Sequence, residues 1–359
     1  MNEDYGILSL KPEFQQTKIG FYNHEGLVFF KSITHSVDIL NKYEINTDQY
    51  EFRAETILEE LDKADIDLSI INVIIATGGL LKPIASGIYV INEALKYDLR
   101  NSPVGRHSAN LGGLIADYIS GKIPGSQAYI ADPAVVDELD DIARFTGLPD
   151  IKRKSVFHAL NQKFVARQYA LSVRKPYEEM NIIVAHLGDG ISIGAHKKGK
   201  VVDVNQCFDG EGPFSLERTG SLPMIDIIQM CFSGKYSESE ILTLIRNHGG
   251  LFAYTGTNSY HELGKAERSN NKEMLTIFEA MAYQISKYIG YMAPVFCANV
   301  DAILLTGTLA NSCWFTSLIQ ERVRFIAPVN IFPGEDVLDA LAMNAILLIT
   351  GEVEAKEYF

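Results

Sequence analysis

The chain has 359 residues, with 32 Lys and Arg against 45 Asp and Glu, so its formal net charge is -13 at pH 7. An acidic chain repels a phosphate backbone and an anionic bilayer, so we expect no nucleic acid partner and no membrane partner. At roughly 100 to 200 residues per domain, this length predicts two domains with cores of their own.

The cysteines and the N-terminus predict a cytoplasmic location. The four cysteines are widely spaced and form no CxxC pair, so reduced thiols are expected rather than disulfides or zinc ligands. The first residues include Glu3 and Asp4 and lack a basic start with an apolar core, so no secretory signal is expected. The apolar run at 340–350 is shorter than the about 20 residues that cross a bilayer.

Strand-like and helix-like segments alternate along the chain. Short runs rich in Ile, Val, Leu or aromatic residues predict strands at 6–10, 18–22, 26–31, 73–76, 127–131, 181–187, 191–197, 201–204 and 302–306. Apolar residues at a period of 3.6 predict helices at 47–63, 108–120, 155–172, 237–247, 271–293 and 334–348. Strands that alternate with helices are typical of α/β proteins.

A pattern of a strand, a turn and a hairpin occurs twice. It covers 7–10, 17–22 and 26–31, and then 182–187, 191–196 and 201–204. A duplicated core with two similar lobes explains both copies. We place the boundary in the segment that joins the two strand sets, which gives an N-terminal lobe of 1–165 and a C-terminal lobe of 166–359.

Two loops could bind phosphate. Gly188, Asp189 and Gly190 follow the strand that ends near His186, and glycines let backbone N–H groups approach an anion closely. An ordinary hairpin turn explains these three residues at least as well on sequence alone. The second loop, Thr306, Gly307, Thr308 and Asn311, follows an apolar strand at the place where α/β proteins bind nucleotides. A βα turn with a hydroxyl cap is an equally good explanation of it.

Four further polar side chains are candidates. Arg218 lies in a long polar loop, and its planar fork matches a carboxylate or a phosphoryl group, although an exposed Arg is ordinarily just solvated. Asp132 ends a predicted strand and precedes a proline, which suits either a Mg²⁺ site or a turn. His107 and His186 are either core histidines or parts of an anion pocket.

Ordered blocks along nearly the whole chain resemble the butyrate kinase branch of the acetate kinase family, within the actin, Hsp70 and sugar-kinase superfamily. The blocks lie at 78–84, 132–138, 154–163, 185–188, 209–215, 231–236, 325–328 and 333–336. The resemblance implies a two-lobed, duplicated ribonuclease-H-like fold of the actin-like ATPase type, with mixed sheets and a central cleft. It implies reversible, ATP- and Mg²⁺-dependent phosphorylation of butyrate or a branched-chain carboxylate, by a homodimer or higher homo-oligomer.

The resemblance also implies roles for individual residues. His186 would hydrogen-bond the transferring phosphoryl oxygens, Arg218 would neutralise them, and His107 matches an active-site histidine. Asp132 and Glu335 would organise Mg²⁺. The nucleotide phosphates would contact Thr17, Lys18, Gly188, Asp189 and Gly190, and the adenosine loop would contain Thr306, Gly307, Thr308 and Asn311.

The departures from the family pattern fall on this site. Lys11–Lys18 stands where the family has Asn-Pro-Gly-Ser-Thr-Ser-Thr-Lys, so Glu13 replaces a glycine, and Phe14 and Gln16 replace small hydroxyl residues. An unrelieved charge about 4 Å from an anion costs roughly 4 kcal/mol at an effective dielectric of 20. Three further positions also differ: Thr77 replaces an Arg, Thr308 replaces a Gly, and Asp189 replaces a Gly or Asn.

Three functions therefore stay open at this point. The first is a butyrate or branched-acid kinase whose activity is reduced by Glu13, Phe14, Thr77 and Thr308. The second is a catalytically impaired paralogue with a binding or regulatory role. The third is a kinase for a hydroxyl acceptor, with Asp132 as the base. Lys11 is a candidate to compensate Glu13, and Arg106 is a candidate to replace the guanidinium missing at Thr77.

Overall fold

A computed structural model describes residues 5–101, 103, 105 and 107–359, so the candidate Arg106 lies outside the described residues. The chain forms two compact units, Met1–Val136 with Asp336–Phe359, and Asp137–Glu335. This division differs from the predicted lobes, whose boundary at residues 165 and 166 falls within the helix Ala159–Ser172 of the second unit. The C-terminal helix packs on the first sheet, a long-range contact that the spacing of strands along the sequence does not reveal.

The first unit contains a six-stranded mixed sheet with the order β3-β2-β1-β4-β6-β5. Its strands are β1 (Gly6–Pro12), β2 (Gln16–Asn23), β3 (Gly26–Thr34), β4 (Ile71–Thr77), β5 (Ile88–Val90) and β6 (Gln127–Ala131). Its α-helices are Val37–Leu40, Tyr50–Lys63, Glu93–Asn101, Leu111–Lys122 and Val337–Ile349. Strands β1, β2 and β3 are antiparallel, whereas β4 is parallel to both β1 and β6.

Helices cover the central strands of this sheet. Leu111–Lys122 and Val337–Ile349 both pack against β1 and β4. Strands covered in this way read as nearly continuous apolar runs, which is the pattern of β1 and β4 in the sequence. Tyr50–Lys63 buries Ala54, Ile57 and Leu61, one helical face at the expected spacing.

The second unit contains a five-stranded mixed sheet with the order β11-β10-β7-β8-β9. Its strands are β7 (Asn181–Leu187), β8 (Ile191–Lys197), β9 (Lys200–Val204), β10 (Ala302–Gly307) and β11 (Val329–Pro333). Its α-helices are Ala159–Ser172, Met224–Cys231, Glu238–Arg246, Gly250–Thr255, His261–Ser269, Lys272–Met292 and Cys313–Val323.

The predicted duplication is confirmed by the strand order. Strands β7, β8 and β9 are antiparallel and β10 is parallel to β7, as β4 is to β1 in the first unit. The predicted α/β class with mixed sheets is therefore confirmed as well. Within the described residues, every helix is too short or too polar to pass through a bilayer.

Candidate active site

The turn between β7 and β8 consists of Gly188, Asp189 and Gly190. Leu187 pairs with Ile191 across the hairpin, and the Gly188 N–H donates to the Gly190 carbonyl oxygen at 3.3 Å. The predicted hairpin is therefore present. Because it is so tight, the side chain of His186 and those of the neighbouring loops come close to the turn.

The neighbouring side chains approach both glycines closely, Gly190 more closely than Gly188. A Cβ atom on Gly190 would lie 2.0 Å from Nη1 of Arg218, and a Cβ atom on Gly188 would lie 3.1 Å from Nε2 of His186 and 3.2 Å from Oε1 of Glu335. The structure thus brings His186, Arg218 and Glu335, three of the predicted site residues, to one glycine turn.

The Arg218 guanidinium is held by the loop that carries it. Its Nη1 donates to the carbonyl oxygen of Cys207 at 3.0 Å, and its Cζ lies 5.4 Å from the centroid of the Phe208 ring. The backbone N–H of Arg218 donates to Ser215 Oγ at 3.1 Å. The side chain is therefore positioned before any ligand arrives, which lowers the cost of ordering it on binding.

His186 is buried between two oxygen atoms. Its Nδ1 lies 2.8 Å from Oδ1 of Asn161, and its Nε2 lies 2.8 Å from Oε1 of Glu335 without the alignment of a hydrogen bond. Within the described residues, His186 Nε2 and Arg218 Nε are both buried and have no hydrogen-bond partner. Buried polar atoms are almost always paired, so two unsatisfied ones beside a glycine turn fit an oxyanion such as phosphate.

His158 is a further residue of this site, and our sequence predictions missed it. Its ring stacks on that of His186, with centroids 3.8 Å apart and planes 15° apart. Its Nδ1 lies 2.9 Å from Ser192 Oγ and 3.9 Å from Cys207 Sγ, and burial raises the pKa of that thiol. His158 and Asn161 stand three residues apart at the start of a predicted helix, and this spacing could have indicated a shared face.

The predicted adenosine loop begins next to the same turn. Gly307 has a φ of +94°, and a Cβ atom on it would lie 2.4 Å from the Leu187 carbonyl oxygen. Thr306 Oγ1 donates to the Gly334 carbonyl oxygen at 3.2 Å. These contacts join the end of β10 to the end of β7 and to the residue before Glu335.

A cavity of about 430 Å³ opens beside this loop. Its lining includes Tyr260, His261, Lys265, Arg268, Thr308 and Asn311. The rings of Tyr260 and His261 lie 4.0 Å apart, which provides an aromatic wall beside two cationic side chains. The volume lies in the range of small-molecule sites, and the chemistry of the lining suits a nucleotide.

Asp132 and His107 belong to the first unit. Oδ1 of Asp132 accepts hydrogen bonds from Ser86 Oγ at 2.6 Å and from the Gly87 N–H at 2.8 Å, which orients the carboxylate. The exposed His107 caps a short 3-10 turn, where its Nδ1 accepts from the Ala109 N–H at 3.1 Å. This contact is a structural role for His107.

The metal prediction concerns Asp132 and Glu335. Across the described residues, no cluster of three or more His, Cys, Asp or Glu side chains could hold a metal ion. Mg²⁺ in nucleotide sites takes one or two protein carboxylates together with phosphate oxygens and waters. Each carboxylate is of a suitable ligand type: Asp132 is oriented within the first unit, and Glu335 lies beside the glycine turn of the second.

The turn between β1 and β2 contains Glu13, whose charge is offset locally. Its Oε1 lies 2.9 Å from Nζ of Lys18 and 3.2 Å from Nζ of Lys11. Burial acts to raise the pKa of Glu13, but the two lysines outweigh it, and the pKa lies below its ordinary value. The proposed compensation by Lys11 is thus seen, with Lys18 as a second partner.

Arg53 stabilises this turn through hydrogen bonds, and our sequence predictions did not identify it. Its guanidinium is buried and donates to the carbonyl oxygens of Glu13 at 2.8 Å, Phe14 at 2.7 Å and Gln16 at 3.1 Å. It also donates to the Thr17 hydroxyl at 3.1 Å. Burial lowers the pKa of Arg53 to about 10, so the side chain stays charged at neutral pH.

Comparison with known proteins shows the family. Residues 150–327 match the acetokinase family. The chain is 45% identical over 354 residues to butyrate kinase 2 of Clostridium acetobutylicum, covering 99% of each chain, and 45% identical to a probable butyrate kinase of Clostridium botulinum with the same coverage.

Solved structures show the same fold at low sequence identity. The acetate kinase of Porphyromonas gingivalis is 16% identical, with a TM-score of 0.78 over 96% of this chain and 100% of that one. A propionate kinase of Francisella tularensis is 16% identical, with a TM-score of 0.75 over 94% of this chain and 98% of that one. The predicted actin-like fold is therefore confirmed.

Proposed function

The chain belongs to the acetokinase family, and on this premise we propose that it transfers the γ-phosphoryl group of ATP to butyrate or a branched short-chain carboxylate. The reversible reaction gives an acyl phosphate and ADP. The observation that carries this proposal is the pair of buried, unsatisfied nitrogen atoms, His186 Nε2 and Arg218 Nε, at the glycine turn.

The chemistry needs positive charge and hydrogen-bond donors rather than a base. A carboxylate is ionised at pH 7, so its oxygen attacks the γ-phosphorus directly, while the bond from that phosphorus to the β-phosphate oxygen breaks. In this mechanism Arg218 neutralises the phosphoryl oxygens, and His186 and the N–H groups of the turn Gly188, Asp189 and Gly190 orient them.

The same proposal assigns the remaining predicted residues. Thr306, Gly307, Thr308 and Asn311 contact the adenosine, and Lys18 contacts the phosphates. Thr17 was predicted to contact them as well, but it is fully buried, with its hydroxyl bonded to Arg53 and His35, so it supports the turn instead. Asp132 and Glu335 would be the protein ligands of Mg²⁺, which would neutralise charge on the nucleotide phosphates when bound. The role of His107 is an active-site contact, although its observed hydrogen bond is a structural one.

The catalytically impaired alternative has lost its main physical argument. That argument required an unrelieved carboxylate at Glu13, and Lys11 and Lys18 lie within ion-pair distance of it. Among the described residues, Lys11, Lys18 and the buried Arg53 place three cations around the Glu13 carboxylate. This balance supports a working enzyme.

We also propose a homodimer or higher homo-oligomer in the cytoplasm. The helix Met224–Cys231 contains no buried residue. Met224, Ile225 and Phe232 are 76%, 65% and 87% exposed. Apolar patches of this kind are typical of protein interfaces. Light scattering should show at least a dimer, and Ile225→Glu should reduce it to a monomer; a monomeric wild type would contradict the proposal.

Trapping of the acyl phosphate with hydroxylamine tests the function. With ATP and Mg²⁺, butyrate or isobutyrate should give a hydroxamate, whereas glucose should give no ADP above the background. Arg218→Gln should lower kcat by roughly 10²- to 10³-fold, the cost of removing one transition-state donor. Arg322→Gln is the control, because Arg322 contacts Glu279 and the Leu318 carbonyl oxygen and lies on the helix Cys313–Val323. Absence of any hydroxamate from the wild type would refute the proposal.

A further inference from the structure

A chain of four hydrogen bonds, three buried and the last partly buried, runs through the second unit and ends on His158. Its links are Tyr177 OH to His196 Nδ1 at 2.7 Å, His196 Nε2 to Gln162 Oε1 at 2.9 Å, Gln162 Nε2 to Ser192 Oγ at 2.8 Å, and Ser192 Oγ to His158 Nδ1 at 2.9 Å. The His158 ring stacks on that of His186, and Ser192 is paired with His186 across strands β7 and β8. We refer to Tyr177, His196, Gln162 and Ser192 as the relay.

The backbone carbonyl oxygen of Ser192 determines which atoms of Gln162 and His196 donate and which accept. Gln162 Nε2 lies 3.0 Å from the backbone oxygen of Ser192, which can only accept, so the amide nitrogen faces Ser192 and Oε1 faces His196. His196 Nε2 must therefore carry a hydrogen. Burial, with Lys163 and Arg167 nearby, holds the pKa of His196 well below its usual range, so the ring is neutral and Nδ1 accepts from Tyr177.

The same reasoning assigns the donor and the acceptor in the hydrogen bond between Ser192 and His158. Ser192 Oγ accepts from Gln162 Nε2 at 2.8 Å and from the His158 backbone N–H at 3.4 Å. A hydroxyl accepts two hydrogen bonds and donates one, so its own hydrogen goes to His158 Nδ1. A neutral His158 whose Nδ1 accepts carries its hydrogen on Nε2.

Strand β8 makes room for the relay. A Cβ atom on Gly194 would lie 2.5 Å from Gln162 Oε1 and 3.3 Å from His196 Nε2. Any other residue at this position would therefore clash with the Gln162 side-chain amide. The absence of a side chain at Gly194 is thus a second, independent sign that the Gln162 amide is held in one place.

We propose that the relay holds His158 as a neutral ring with its hydrogen on Nε2. Ser192 engages one edge of the ring, and His186 covers one face, so the ring can neither flip nor rotate freely. The Nε2–H then becomes a donor of fixed direction beside the proposed phosphoryl site. This use of the donor rests on the proposed function. A pre-oriented donor helps catalysis because it costs no reorganisation when charge develops on the phosphoryl group.

The closing experiment reads the tautomer directly. Nitrogen NMR of protein labelled in its histidine rings distinguishes hydrogen on Nδ1 from hydrogen on Nε2, and His158→Gln identifies the signal. The wild type should show the hydrogen of His158 on Nε2. In Ser192→Ala the signal should become that of a mixture of tautomers.

Kinetics supply the functional part of the test. Ser192→Ala should lower kcat roughly fivefold to tenfold, the value of one neutral hydrogen bond, with KM for both substrates changed less than about twofold. Ser286→Ala is the matched control, because it removes a buried hydroxyl whose bond goes to the Ala282 carbonyl oxygen, away from the relay. It should leave both kcat and the His158 signal unchanged.

Several outcomes would overturn the inference. Hydrogen on Nδ1 of His158 in the wild type would do so, and so would a Ser192→Ala variant with unchanged kcat and an unchanged signal. If Ser192→Ala does not fold, Gln162→Met breaks the central link instead and should give the same mixture of tautomers. A wild type without kinase activity would end the proposed function, while the wild-type NMR signal would still decide the tautomer.

Discussion

Replacement of Gly190 by Ala tests the link between the glycine turn and Arg218. The added Cβ atom would lie 2.0 Å from Nη1 and 2.7 Å from Cζ of Arg218. An ordinary contact begins near 3.4 Å, so the guanidinium must move by about 1.4 Å (3.4 − 2.0). A displacement of about 1 Å at a catalytic group can cost roughly 10²-fold in rate, so kcat should fall by about that factor.

Stability should fall by about 1 kcal/mol in this variant, because the displaced guanidinium loses its hydrogen bond to the Cys207 carbonyl oxygen and its contact with the Phe208 ring. The new atom meets the far end of the Arg218 side chain and no backbone atom, so the core should stay intact. Gly188→Ala should have a smaller effect, because its Cβ atom would lie 3.1 Å from His186 Nε2, a tight contact but not an impossible one. The matched control is Gly290→Ala, whose Cβ atom has no neighbour within 4 Å.

The assay is hydroxamate formation from butyrate and ATP, with the midpoint of thermal unfolding measured on the same samples. Gly290→Ala lies in the helix Lys272–Met292 and should keep the wild-type kcat, with a gain in stability of about 0.5 to 1 kcal/mol. A Gly190→Ala enzyme with wild-type kcat would refute the reasoning. It would show that the position of Arg218 over the turn does not matter for turnover.

Three further predictions concern the β1–β2 turn and its support. Glu13→Gln should raise kcat/KM for ATP by at most about fivefold, because partly exposed ion pairs contribute only about 0.2 to 1 kcal/mol; a rise of several decades would mean that Lys11 and Lys18 do not offset the charge. Arg53→Met should lower the free energy of urea unfolding by about 2 kcal/mol, since it removes the donor shared by the carbonyl oxygens of the turn and by the buried side chains of Gln49 and Thr17; no loss would contradict the role of Arg53 in supporting the turn. Burial, with Arg53 nearby, lowers the pKa of His35 to about 4. The unfolded chain, with a His pKa of about 6.5, then binds the extra proton first, so the unfolding free energy should fall as the pH drops from about 6.5 to 4, by up to about 3 kcal/mol, and His35→Gln should lack that part of the slope.

The fold could be predicted where burial leaves a simple pattern. Strands β6, β7 and β8 coincide with the predicted segments 127–131, 181–187 and 191–197, because covered strands read as short apolar runs between polar boundaries. The three-residue strand β5 was missed, since so short a segment has no detectable period. The return of the C-terminal helix to the first sheet depends on tertiary packing alone.

The site could be predicted only in part, for a related reason. Residue types and the resemblance indicated His186, Arg218 and the glycine turn, and the hairpin places them together. The roles of His158 and Arg53 arise from a ring stack and from carbonyl oxygens brought together by folding. Neither arrangement has a sequence pattern, because it depends on which loops meet and not on the spacing within one element.

The most direct test of the account is calorimetric titration of the full chain with ATP and Mg²⁺, for the wild type and for Arg218→Gln. The account predicts saturable binding of one nucleotide per chain to the wild type, with weaker binding to the variant because a phosphate partner has been removed. Absence of a binding signal from the wild type would contradict the assignment of His186, Arg218 and the glycine turn to a nucleotide phosphate.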